Sequence, residues 1–176
     1  MSSHPAAASS FEVSETATVI GVDLGVKRLL VAAPADTDPD VSDALVVGGG
    51  VERDLYDALG DTLNRLHEKS VDTHEAEAQA IENYRSLLQQ RFALAARSLV
   101  EYADRLDADA VAVENIEYEG GALAESARGR TKAGEWVMPA FREQLETALT
   151  AEGYHVERVD ANNTTQQCHV CEEMTD

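Results

Sequence analysis

The chain has 176 residues, 44% of them apolar and 27% charged, a balance that excludes a disordered tail. No apolar run approaches the ~20 residues that span a bilayer, which excludes a transmembrane helix. With 33 acidic residues against 14 basic ones and a formal net charge of −19, the composition taken alone argues against nucleic-acid binding, which normally needs a basic surface.

Residues 1–17 are rich in Ala, Ser and Thr and read as a flexible N-terminal arm. Met1 to Pro5 has no basic or apolar region of a signal peptide, so a cytoplasmic protein is expected. Thr18 to Leu24 reads as a buried strand that carries a carboxylate, Asp23, at its end. Gly25-Val-Lys27 is a tight turn, and Arg28 to Ala33 is a second strand, so the pair predicts an antiparallel hairpin. An acidic loop with two prolines runs from Pro34 to Asp43. Ala44 to Val47 forms a third strand, ended by Gly48-Gly-Gly50.

Val51, Leu55, Leu59, Leu63 and Leu66 recur at helical spacing. Ser70 to Ala80 is polar and acidic and reads as a link. Ile81, Tyr84, Leu88, Phe92, Ala95, Leu99, Tyr102 and Leu106 mark one face of a long amphipathic helix. Asp109 to Glu114 is another buried strand ending in a carboxylate. Gly120 to Glu135 reads as a loop, Val137 to Leu149 as a helix with Gly153 at its cap, and Tyr154 to Val159 as the last strand. No internal repeat is present. Three meandering strands, then helices alternating with strands, predict an α/β fold with a mixed sheet flanked by helices, of ribonuclease-H-like layout, over 18–160.

Four constellations carry chemistry. Asp23 and Glu114 each end an apolar strand, where α/β sheets gather ligands. On adjacent strands they would hold Mg²⁺ or Mn²⁺, hard cations that prefer oxygen, and two such ions about 4 Å apart serve phosphodiester cleavage. The plainer alternative makes both acids first loop residues of an acid-rich chain. Asn115 and Glu117 beside Glu114 are either supporting residues or without role. The string Gly21-Val-Asp-Leu-Gly25 also opens actin-like ATPases, but those need two such subdomains and more length. Cys168 and Cys171 are spaced as one zinc knuckle, which is half of a structural site. The competing redox reading lacks a thioredoxin-like setting, and His169 is a spacer. Arg128, Arg130 and Lys132 form a basic cluster after the Glu114 strand that would touch a phosphate backbone, or be a solvated loop.

Together, Gly21 to Lys27, Ala110 to Ile116, Trp136 ahead of Phe141 to Leu145, and Val159 to Cys168 resemble the OrfB/TnpB-type transposases, relatives of the type V CRISPR nucleases. The resemblance runs from about Val19 to Cys171. It implies a RuvC-like nuclease core in which Asp23 and Glu114 bind catalytic Mg²⁺ or Mn²⁺. It also implies that 161–176 begins a zinc ribbon and that the partners are DNA and a guide RNA. The family's N-terminal nucleic-acid-binding region, second cysteine pair and third catalytic Asp have no counterpart here. Asp176 comes too early for that Asp, and Asp160 is not a motif match. A truncated transposase that cleaves DNA poorly or not at all is therefore expected, with Zn²⁺ bound weakly or shared between two chains. The opening string also resembles the Holliday-junction-resolvase-like YqgF proteins, which do not explain Cys168 and Cys171. A non-catalytic nucleic-acid-binding remnant is the third reading. Oligomeric state is not specified by the sequence.

The acids are spread along the whole chain and lysine occurs three times (Lys27, Lys69, Lys132), a composition expected of a halophile. In molar salt the Debye length falls to about 3 Å, so the net charge describes the solvent more than the partner.

Overall fold

A computed structural model describes residues 17–35, 43–69, 71–115, 123–129 and 133–160. Its elements are β1 Val19–Leu24, β2 Arg28–Pro34, β3 Leu45–Gly48, α1 Gly50–His67, α2 His74–Arg105, β4 Ala110–Asn115, α3 Leu123–Gly129, α4 Ala133–Ala151 and β5 His155–Asp160, the predicted order with α3 added. The five strands form one mixed sheet in the order β3-β2-β1-β4-β5. The first three meander antiparallel, whereas β1–β4 and β4–β5 pair in parallel. This is the expected ribonuclease-H-like arrangement.

The alternation of β1 and β4 decides which face is buried. Ile20, Val22 and Leu24 of β1 and Val111 and Val113 of β4 join one core with residues of α1, α2 and α4. Phe92 of α2 packs on Phe141 of α4 with ring centroids 5.0 Å apart, a contact that fastens the two long helices over the sheet. The intervening positions of β1 and β4 face the other way. Val19, Val31, Ala33 and Ala112 are half-buried, while Val46 and Val159 are 53% and 42% exposed. Among the described residues, none of these six belongs to the helix-covered core.

Two stretches read as irregular are helical. α2 begins at His74, inside the stretch 70–80 that reads as a link in sequence. Asp72 accepts a hydrogen bond from the His74 N–H at 3.0 Å, and the Thr73 hydroxyl bonds Glu77. Glu75 and Glu77 in the first turn complement the helix dipole, and Ala76, Ala78 and Ala80 are good helix formers. The absence of bulky residues hid this turn from a reading based on apolar periodicity. α3 lies within the expected loop because Leu123, Ser126 and Ala127 bury one face, most of it against α1.

Glycine marks two junctions. Gly153 has φ +93°, and with Tyr154 N–H bonded to the Leu149 carbonyl at 3.0 Å it ends α4 as a left-handed cap. At Gly49 the constraint is space: a Cβ would lie 2.2 Å from the Val26 carbonyl oxygen and 3.0 Å from its carbon. Both obstacles are backbone, so the β1–β2 hairpin would have to shift. Gly49→Ala is expected to lower stability by about 1–3 kcal/mol, measured by urea unfolding at fixed salt. Gly48→Ala, where a Cβ meets nothing within 4 Å, should cost far less.

Candidate metal centre

β1 and β4 are parallel neighbours whose paired positions run from Val19↔Ala110 to Val22↔Val113. Asp23 and Glu114 are the next residue on each strand. They stand side by side at the carboxyl end of the sheet, on backbones separated by about 4.8 Å. Val22 and Val113 point into the core, so strand alternation turns Asp23 and Glu114 to the uncovered face. Asp23 is exposed and Glu114 half-buried. The row continues through Val31 of β2, paired with Asp23, and Val159 of β5, paired with Glu114. Two carboxylates are thus set between two valines on the face that, among the described residues, no helix covers.

Like charges on adjacent strands repel, and a cation between them removes that cost. The donor set is all oxygen and open to solvent on one side. That suits Mg²⁺ or Mn²⁺, which keep several waters and take one or two carboxylates plus substrate phosphate oxygens. Among the described residues, no group of three or more His, Cys, Asp or Glu forms a metal cluster; what the strand register gives is two carboxylate-bearing positions side by side.

Asn115, one step beyond Glu114, faces the helices. Its Oδ1 accepts a hydrogen bond from Arg142 Nη1 of α4 at 3.3 Å, which ties the end of β4 to the layer beneath it. Asp160 is the register partner of Asn115 on β5 and so lies on the row after the Glu114 row. Arg128 sits on α3, where its guanidinium forms an ion pair with Glu77 of α2. Its carbonyl accepts from Asn64 Nδ2 at 3.3 Å, and its Nε is buried without a partner. Arg128 therefore fastens α3 to α1 and α2. Glu117, Arg130, Lys132, Cys168 and Cys171 lie outside the described residues.

The α1–α2 interface holds a buried polar cluster that the sequence did not reveal. Glu52 is 1% exposed, and its Oε1 accepts from Arg91 Nε at 3.1 Å. Glu52 Oε2 and the Tyr84 hydroxyl are buried without hydrogen-bond partners. Burial pushes the Tyr84 hydroxyl well above its usual range, with Tyr56 and Glu52 adding in the same direction. In sequence Glu52 looks like any exposed acid of the first helical turn.

No protein-family model matches the sequence, and no curated protein resembles it significantly. Solved structures do. A Cas12f1 chain from a cryo-EM complex with sgRNA and target DNA superposes with a TM-score of 0.64 at 16% identity. The match covers 94% of this chain and 41% of that one. A chain of a CRISPR-Cas12f ternary complex gives a TM-score of 0.59 at 16% identity, covering 89% of this chain and 31% of that one. The chain shares the fold of these effectors over less than half of their length.

Proposed function

We infer that this chain is a RuvC-like nuclease core of the OrfB/TnpB transposase type, acting on DNA with a guide RNA as a further partner. The observation that carries the reading is the placement of Asp23 and Glu114 side by side at the carboxyl ends of two parallel strands, on the open face. The shared fold with Cas12f effectors supports it. Among the described residues no helix covers this face, the side from which a nucleic-acid strand would approach the two carboxylates. Arg142, through Asn115, and the parallel pairing of β4 with β1 and β5 fix the end of the strand that carries Glu114. Mg²⁺ or Mn²⁺, when bound, would supply Lewis acidity and a water acidic enough to attack a phosphodiester. The isolated chain is proposed to be slow, because the described residues bring two carboxylates to a reaction that uses an ion on each side of the scissile phosphate. Its acidic surface is proposed as an adaptation to concentrated salt, where exposed charges are screened within a few ångströms.

The test is a Mn²⁺ titration of the purified chain in molar KCl, followed by electron paramagnetic resonance, alongside nicking of supercoiled DNA. Saturable binding with slow nicking is expected. A chain that binds DNA but no Mn²⁺ would instead be a non-catalytic nucleic-acid-binding module.

A further inference from the structure

In a chain of net charge −19, a cation with no acidic partner stands out. Most of the described arginines are engaged. Arg91, Arg97, Arg128 and Arg158 pair with Glu52, Glu101, Glu77 and Glu146. Arg142 bonds Asn115, Arg65 bonds the Asp61 carbonyl, and Arg105 lies over the Tyr102 ring. Among the described residues, the lysines and arginines without a hydrogen bond, ion pair or ring contact of the side chain are Lys27, Arg28, Arg53, Lys69 and Arg85.

Three of these five meet at one corner of the sheet. β1 ends at Leu24, and the turn that follows carries Lys27 and Arg28. β3 ends at Gly48, at the same edge of the sheet, because it runs antiparallel to β2. The Gly49 N–H donates to the Lys27 carbonyl at 3.1 Å, and Gly49 sits against Val26 with no room for a Cβ. α1 starts at Gly50, and the Arg53 N–H bonds the Gly49 carbonyl at 3.3 Å. Lys27, Arg28 and Arg53 are all exposed. The acid of that first helical turn, Glu52, is buried beneath Arg91, and the exposed acids nearest in sequence are Asp54 and Asp57 of α1 and Asp23 of β1. The corner lies at the end of the sheet that carries Asp23 and Glu114.

We propose that Lys27, Arg28 and Arg53 form a phosphate-binding corner that seats the backbone of a DNA strand beside the two carboxylates. The proposal rests on the nuclease reading above and names the residues that take the substrate. Its physical basis is range. At about 0.1 M salt, charges more than ~10 Å away are largely screened, so a phosphate at this corner responds to the groups around it, three cations among nearby acids, more than to the net charge of the chain. Phosphate contacts of this kind set the register of a strand on the protein and are indifferent to its sequence.

The experiment is fluorescence anisotropy of a short labelled DNA duplex with the full chain in Ca²⁺, from about 0.05 to 0.2 M KCl, the range over which counterion release is steep. Lys27→Gln/Arg28→Gln is compared with Lys69→Gln/Arg85→Gln, which removes the same charge elsewhere, and Arg53→Gln is measured alone. Each lost phosphate contact flattens the plot of log K against log salt by about 0.9. The hairpin double variant is therefore expected to lower the slope by about 2 and Arg53→Gln by about 1, with the control double unchanged. Mn²⁺ binding should be intact in all three, since none of these side chains is a ligand. Equal losses in the two double variants, or no change of slope in the hairpin variant, would overturn the corner while leaving the nuclease reading standing. A wild-type chain that binds Mn²⁺ but no DNA would overturn both.

Discussion

Asp23→Asn is expected to abolish the response of the protein to Mn²⁺ while raising its melting temperature in metal-free buffer. The two effects have one cause. Asp23 and Glu114 each follow the last paired residues, Val22 and Val113, of neighbouring parallel strands, a juxtaposition in which like charges repel. Removing one charge relieves the folded state and at the same time removes half of the oxygen donor set. Mn²⁺ affinity should fall at least a hundredfold, about 2.7 kcal/mol, with nicking falling in parallel. Glu114→Gln should behave alike, and the double variant should be hardly worse than either, as expected of residues that act as a unit. Calorimetric scans with and without Mn²⁺ read both signs together. If Asp23→Asn melts lower than wild type without metal, the side-by-side placement does not govern the site.

Arg91→Ala is expected to be the most damaging change outside the apolar core. Glu52 has a side chain 2% exposed, and its ion pair with Arg91 at 3.1 Å joins α1 to α2. Without the guanidinium a buried carboxylate has no counter-charge, a situation that costs about 3–5 kcal/mol. That is comparable to the whole stability of a marginal domain, which starts near 5 kcal/mol. Because the harm comes from the stranded charge, Glu52→Gln/Arg91→Met should recover most of it. Buried pairs exchanged together for groups of similar size are often neutral. Urea unfolding at fixed high salt gives the numbers. A double variant as weak as Arg91→Ala alone would show that the lost packing of the arginine stem, and not the charge, is what matters.

The strands were legible because their signals are local. Apolar runs bounded by Gly-Val-Lys, by three glycines and by Gly153 place β1, β2, β3 and β5 within a residue of their observed limits. The early start of α2 was not legible, because a turn of alanines and glutamates carries no apolar period. The same limit hid α3, whose buried face is short and built of one leucine and small residues. The candidate site was half legible. An acid at the end of an apolar strand is visible in sequence at both Asp23 and Glu114. The corner of Lys27, Arg28 and Arg53 is not, since Arg53 comes to it only through the contact of Gly49 with the hairpin.

Side-chain period and turn chemistry act over a few residues, so a linear reading reaches the elements, the mixed α/β layout and the identity of the two strand-end carboxylates. Three matters depend on partners far apart in the chain. Pairing of β1 with β4 makes residues 23 and 114 neighbours. Docking of α1, α2 and α4 on one side of the sheet leaves both acids on the face that, among the described residues, no helix covers. Helix contact buries Glu52 and engages Arg128, and leaves the cations at the head of β2 and the start of α1 without partners. Burial and neutralisation are properties of neighbours in space, and the folded chain is where those neighbours are chosen.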